Sequence, residues 1–199
     1  MREGSVILVR HAQAATNAAG IIGGDPARDA GLTETGRRQA RNLSEMIRTS
    51  PIDVCITSRF PRAIDTARIA LGDREIPFLE WPDFDEPGAG EYEGLPADDY
   101  LAWARQASFD AMPPGGESLT QVLNRYRDGY GRLIEQGATH TLLVGHGLCI
   151  SVVLRALRRP EDGSRRFPAV PHAEPYHLSL ADLEKAVGTI SERLIPRSS

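Results

Sequence analysis

Lysine is nearly absent from this 199-residue chain: of its 23 cationic side chains only Lys185 is not arginine. Arginine is the cation suited to planar, bidentate recognition of carboxylate and phosphate, although base-composition bias in the source genome explains the same excess. Cysteine is almost as scarce. Cys55 and Cys149 lie in separate apolar runs without the CxxC or Cys/His spacing of a metal site, so both read as buried, reduced thiols. Long apolar runs are missing too. The stretch Val6-Ile7-Leu8-Val9 is too short for a signal-peptide core, and nowhere do about 18 apolar residues run uninterrupted. The expectation is a cytoplasmic protein. Several motifs are also lacking: there is no GxxxxGKS or GxxxxGKT phosphate loop, no HExxH and no GxSxG. The stretch Gly88-Ala89-Gly90-Glu91-Tyr92-Glu93-Gly94 has one residue too many for a dinucleotide fingerprint and follows no strand. Finally, strong net charge of either sign is absent. With 27 acids against 23 cations the formal charge is −4, weakly repulsive toward nucleic acid and anionic membranes, so any basic site must be local. Arg165-Arg166 lacks interleaved aromatics and reads as a solvated turn.

What is present is an average globular composition, 41% hydrophobic and 25% charged, in a length that suits one domain. Short apolar runs alternate with helical periodicity. Residues 6–9 read as a buried strand that breaks into a glycine-rich loop over 10–31. Thr33 caps a helix with Ala40, Leu43 and Ile47 on one face, which ends near Thr49 because Pro51 disfavours helical geometry before it. Residues 54–57 form a second strand, and 58–71 a helix with Pro61 in its first turn. A loop dense in proline, glycine and acid covers 76–96, and helices follow over 97–107 and from about 119 to 133. The clearest strand, 141–144, leads through Gly145-His146-Gly147 into a helix at 148–157. A polar turn at 158–166, a last strand near 176–180 and an amphipathic tail complete the chain. This alternation implies an α/β fold: a mostly parallel sheet with helices on both faces, a three-layer α/β/α arrangement.

Ligands of such sheets bind outside the carboxyl ends of the strands. His11, preceded by Arg10, follows the first strand, and His146 follows the strand at 141–144 between two glycines that allow close backbone approach. An Arg-His pair alone is weak, since this composition produces about half of one by chance; the strand-end positions carry the inference. Thr57-Ser58 ends the second strand, with Arg62 one turn into the next helix. Two guanidiniums beside two imidazoles make a pocket of phosphate size. The blander readings are a solvated helix face for Arg62 and a helix cap for Ser58.

Taken in order, Arg10-His11-Ala12-Gln13, Asn17, Leu32-Thr33-Glu34-Thr35-Gly36, Gln39-Ala40, Thr57-Ser58, Arg62-Ala63, Thr66-Ala67, Glu86, Gly90, Glu93-Gly94, Gly115-Gly116-Glu117-Ser118 and Val144-Gly145-His146-Gly147 resemble the histidine phosphatase superfamily, the phosphoglycerate-mutase-like phosphatases. The resemblance runs from residue 5 to about 157. It implies one domain over 1–199, with an inserted loop and helical cap at about 76–118. It implies His11 as a nucleophile that forms a phosphohistidine, with Glu86 as general acid and then base. It implies His146 as a further catalytic group, with Arg10, Arg62, Asn17, Ser58 and Gly147 binding the phosphate. Asp83, Asp85, Glu91 and Glu93 compete with Glu86 for the acid's role. No metal and no cofactor is implied, since positioning and charge stabilisation supply most of the catalysis in phosphoryl transfer. The sequence departs from the family pattern at Ala12 and Gln13, where glycine and glutamate are usual, and at Ala89, where an aromatic is common. The expected function is hydrolysis of a small phosphomonoester metabolite, with a homodimer as a plausible assembly and neither nucleic acid nor membrane as partner. Two alternatives stand beside it: a phosphoglycerate-mutase-type phosphotransferase, which in the family goes with longer chains than this one, and a phosphate-binding member without turnover. Arg28, Arg105, Trp81, Tyr92, His172 and His177 are candidates for the pocket mouth.

Overall fold

A computed structural model describes residues 4–158 and 167–195. The turn expected at 158–166, Arg165-Arg166 included, therefore lies outside the described residues beyond Arg158. Five strands form one sheet: β1 (Ser5–Arg10), β2 (Val54–Thr57), β3 (Phe78–Glu80), β4 (His140–Gly145) and β5 (Pro175–Ser179), in the order β3-β2-β4-β1-β5. The contacts among the first four are parallel, and β5 runs antiparallel beside β1. The runs in β1, β2 and β4 are continuously apolar because helices cover both faces of the sheet. Strand periodicity divides their side chains: Val6 and Leu8 of β1 pack with one core cluster, Ile7 and Val9 with the other.

Among the described residues are seven α-helices, α1 (Ala15–Ala19), α2 (Glu34–Ile47), α3 (Pro61–Leu71), α4 (Ala97–Gln106), α5 (Leu119–Glu135), α6 (Gly147–Arg158) and α7 (Leu180–Thr189), of which α2, α3, α5, α6 and α7 supply the outer layers. On one face α2 and α3 bury Leu43, Ile47, Ala63 and Ala67; on the other α5, α6 and α7 bury Tyr126, Tyr130, Ile150, Val153 and Leu183. Thr33 caps α2 as expected, its hydroxyl oxygen accepting from Gly36 N–H at 3.0 Å. A Cβ at Gly36 would collide with the Gln13 carbonyl oxygen, so only glycine lets α2 close down on the chain just beyond His11.

Three expectations need correction. The loop expected at 10–31 contains α1, which the apolar pattern hides because none of its five residues is buried. The loop at 76–96 contains β3, an edge strand of three half-exposed or exposed residues with no alternation to detect. The third helix starts at Pro61 and not at Ser58, since a proline at the first helical position leaves the residues before it extended. Among the described residues no helix is long and apolar enough to cross a membrane.

Candidate active site

Sheet order positions the site. Because β4 lies between β2 and β1, with Thr57 beside Val144 and Arg10 beside Gly145, the residues leaving these three strands emerge side by side at one sheet edge. His11 N–H bonds the Gly145 carbonyl (2.8 Å) and Ser58 N–H the Val144 carbonyl (3.3 Å). The His11 and His146 rings stand 5.1 Å apart, centroid to centroid, in an edge arrangement, and both are buried.

Hydrogen bonding sets the tautomer of His11. Its Nδ1 lies 2.7 Å from the Ala12 carbonyl oxygen, which can only accept, so Nδ1 carries the proton. Nε2 accepts from Arg62 Nε at 3.1 Å and so presents a lone pair. Burial, His146 and the nearby guanidiniums hold the imidazole well below its usual range, and the ring is neutral at pH 7. A neutral ring with Nε2 unprotonated is the state a nucleophilic histidine requires.

Arg62 is the hub, only 2% exposed rather than on a solvated face. Besides its bond to His11, Nη2 donates to the Gly23 carbonyl (2.9 Å) and approaches His146 Nδ1 (3.3 Å) and Glu86 Oε2 (3.8 Å). Its backbone N–H donates to Asp29 Oδ2 (2.9 Å) and Nη1 pairs with Asp29 Oδ1 (3.5 Å). The Phe60 ring packs 4.3 Å from the guanidinium carbon. Asp29 was missed in the sequence, where nothing separates a buried carboxylate from the surface acids around it.

Of the five candidate acids, Glu86 is the one the fold turns toward the histidines, 3.2 Å from His146 Nδ1. Asp85 is taken by Arg59 (2.6 Å), Asp83 pairs with Arg132 (3.2 Å), Glu93 accepts from Gly24 N–H (2.7 Å) and Glu91 is exposed. Burial pushes the Glu86 carboxyl up, but His146, Arg62 and Arg10 together outweigh it and hold it down to about 2. Burial lowers His146 despite the facing carboxylate, so the neutral ring donates through Nδ1 to Glu86 and accepts at Nε2 from the Ser58 hydroxyl (2.9 Å). The Cys149 sulfur accepts from His146 N–H (3.3 Å) and donates to its carbonyl (3.1 Å), and burial pushes this thiol up to about 12.

The other predicted residues divide. Arg10 donates through Nη1 to the Val170 carbonyl (2.8 Å), while its buried Nε has no hydrogen-bond partner, a donor that an incoming oxyanion would satisfy. A Cβ on Gly147 would meet that same Nε at 3.5 Å, an ordinary van der Waals contact, so Gly147 lies against Arg10 without being required there as glycine. Asn17 lines the cavity, but its amide oxygen is committed to Ala14 N–H (3.0 Å). Ser58 is fully buried beside His146, its hydroxyl bonded to His146 Nε2 and accepting from Phe60 N–H. Gln13 points to the start of α2, its side-chain oxygen accepting from the Thr33 hydroxyl (2.8 Å), and Ala12 is buried against Thr66. Ala12 and Gln13 therefore sit behind the pocket, whereas Ala89, the remaining departure from the family pattern, lines the cavity. Among the mouth candidates, Arg105 lines the cavity; Trp81 is core, 5% exposed and stacked on Phe84. His172 belongs nearer the centre than expected: its Nδ1 donates to the His11 carbonyl (2.8 Å).

Ligand atoms of His11, Glu86 and His146 lie within 4.8 Å of one another, a spacing open to a metal ion. The Arg62 guanidinium already stands among them, so a divalent cation would meet a fixed positive charge, whereas an oxyanion would meet two guanidiniums and an unpartnered N–H.

A buried neutral histidine whose unprotonated Nε2 faces a guanidinium, at the carboxyl ends of a mostly parallel sheet, defines an α/β protein suited to phosphoryl groups. The chain belongs to the histidine phosphatase superfamily (branch 1), whose family model matches residues 6–192. It is similar to a 2,3-bisphosphoglycerate-dependent phosphoglycerate mutase from Gloeobacter violaceus, at 30% identity over 96% of this chain and 91% of the relative. It is also 30% identical to the adenosylcobalamin/alpha-ribazole phosphatase of Salmonella typhimurium, over 77% of this chain and 79% of that one. Among solved structures, a putative alpha-ribazole-5'-P phosphatase from Escherichia coli superposes with a TM-score of 0.74 at 25% identity, over 89% of this chain and 90% of that one. The fold is thus the phosphoglycerate-mutase-like one, and the family's chemistry is that of phosphatases and mutases. Chain length does not separate the two, contrary to expectation, because the mutase from Gloeobacter violaceus is matched over nearly its whole length.

Proposed function

We propose that the protein is a metal-independent phosphomonoesterase working through a phosphohistidine on His11. The observation that carries this reading is the His11 ring itself, with Nδ1–H tied to a carbonyl and the Nε2 lone pair facing the guanidiniums. In the reaction Arg10 and Arg62 hold the nonbridging oxygens and Nε2 attacks phosphorus. The P–O bond to the alcohol breaks, and Glu86 protonates the departing alkoxide. Water, deprotonated by the same carboxylate, then cleaves the P–N bond and restores His11. His146 positions Glu86 through its Nδ1–H. The test is phosphate release from a panel of phosphomonoesters in EDTA, with denaturing quench during turnover. Turnover that survives the chelator, together with acid-labile, alkali-stable phosphate on His11, is expected; activity lost to EDTA and restored by a metal would overturn the reading.

The low Glu86 value gives this scheme a pH signature. In the free enzyme Glu86 is ionised above about 2, so the proton for the leaving group has to arrive with the substrate. A phosphomonoester monoanion carries it, and phosphate in the cradle offsets the cations that held the carboxyl down. The monoanion disappears above its second ionisation near pH ~6. Hence kcat/KM is expected to fall about tenfold per pH unit on the alkaline side. In Glu86→Gln it should be lower by about 10²–10⁴-fold at every pH. A variant within tenfold of the parent would move the acid's role elsewhere.

A further inference from the structure

Above the catalytic groups lies a chamber of about 850 Å³, continuous with Arg10, Arg62 and Glu86 at its floor. The volume falls in the range of small-molecule sites. Its walls above the floor are mostly hydrocarbon and aromatic ring: Ile21 and Ile22 on one side, Leu119 and Leu148 on another, Tyr100 and Trp103 from α4. The α4 contribution is informative. Ala97, Tyr100, Leu101 and Ala104 recur at i, i+3, i+4 and i+7, the stripe with which a surface helix normally packs onto a core. In this protein the stripe lines the chamber, and no residue of α4 is buried. The helix presents its apolar face to the space that a ligand's organic group would fill.

The aromatic wall is braced beforehand. Trp103 leans on Tyr100 and Tyr92 at ring-centroid distances of 5.6 and 5.9 Å, and Tyr92 meets Tyr100 edge-on at 5.6 Å. Polar recognition in the upper chamber is sparse. Glu117 is neutralised by Arg125 (2.8 Å) and also accepts from Gly88 N–H, and Arg105 is exposed. No enclosed cluster of cations among the described lining residues stands ready for a second phosphate or a carboxylate.

Building on the phosphomonoesterase reading, we infer that the substrate's alcohol carries a bulky apolar or flat aromatic group, of the size of a fused bicyclic ring, rather than a sugar or a phosphorylated acid. The phosphate is gripped by the arginine floor, and the ring is desolvated against α4 and the Ile21-Ile22 wall.

The test compares esters of alkanols, so that preference reports binding more than leaving-group reactivity: ethyl phosphate, 2-(2-naphthyl)ethyl phosphate, glycerol 3-phosphate and 3-phosphoglycerate. The naphthylethyl ester is expected to exceed the ethyl and glycerol esters about 100-fold in kcat/KM, from the apolar surface it buries. Trp103→Ala should narrow the naphthylethyl-to-ethyl ratio to about tenfold; a variant merely damaged in folding lowers both rates and leaves the ratio in place. A preference for glycerol 3-phosphate or 3-phosphoglycerate, or a ratio near one, would overturn the inference while leaving the phosphatase reading intact. If no ester turns over, that reading fails separately, and calorimetry with ethylphosphonate and 2-(2-naphthyl)ethylphosphonate still decides the substrate class. At least tenfold tighter binding of the naphthyl compound supports it, and equal affinities refute it.

Discussion

His11→Ala is expected to abolish phosphatase turnover, with a loss of about 10⁴-fold or more in kcat. Among the described residues at the floor, this ring is the one whose unprotonated nitrogen faces Arg62. His146 cannot take over, because its Nε2 accepts from Ser58 and its Nδ1 faces Glu86. Truncation also frees Arg62 Nε, which His11 now occupies, so the cradle gains a donor for phosphate. Phosphate should therefore still bind, as measured by calorimetry, while release of phosphate and the acid-labile phosphoenzyme both disappear. A variant retaining a tenth of the normal rate would remove His11 from the chemistry.

Arg62→Ala should fail in two ways at once. Losing a guanidinium that stabilises the transferring phosphoryl group is worth about 10³–10⁵ in rate. The same change leaves Asp29, whose side chain is wholly buried, without its cation. Breaking one side of a buried pair typically costs about 3–5 kcal/mol. Arg62→Lys separates the two effects. A lysine keeps the charge but cannot donate to His11 and Gly23 from one planar group while standing beside Asp29. Unfolding midpoints are thus expected to recover in part while kcat/KM stays at least about 10²-fold down. The pair of measurements, denaturant unfolding and steady-state kinetics, would sink the argument if a folded Arg62→Ala protein worked within tenfold of the parent.

Much of the fold was legible because the cues are local. Four-residue apolar runs at 6–9, 54–57 and 141–144 belong to strands covered on both faces, and the Thr33 cap and the Ala40, Leu43, Ile47 stripe belong to a single helix. Elements whose stability comes from distant neighbours left no such mark. β3 exists only because β2 offers it a parallel edge, and α1 holds its first turn through Asn17 and Ala14 with no buried face. The candidate site shows the same division. His11, His146, Arg10 and Arg62 were visible as strand ends and the turn after one. Glu86 was singled out among five acids through the family resemblance alone, and the diversion of Ser58, Asn17 and Gln13 to other partners and the places of Asp29 and His172 were not visible.

What the chain determined by itself, then, was an α/β sheet with two histidines and two arginines at strand ends, since periodicity, capping and turn chemistry act over a few residues. Tertiary structure decided everything that depends on contacts made across the sheet. The order β2-β4-β1 brings Ser58, His146 and His11 into one row. A buried Asp29 thirty-three positions away pins Arg62. The placement of α4 turns an apolar stripe that reads as ordinary packing into the wall of a substrate chamber. A side chain's charge state and the direction of its lone pair are set by whatever surrounds it in space, and sequence neighbours are only a small part of those surroundings.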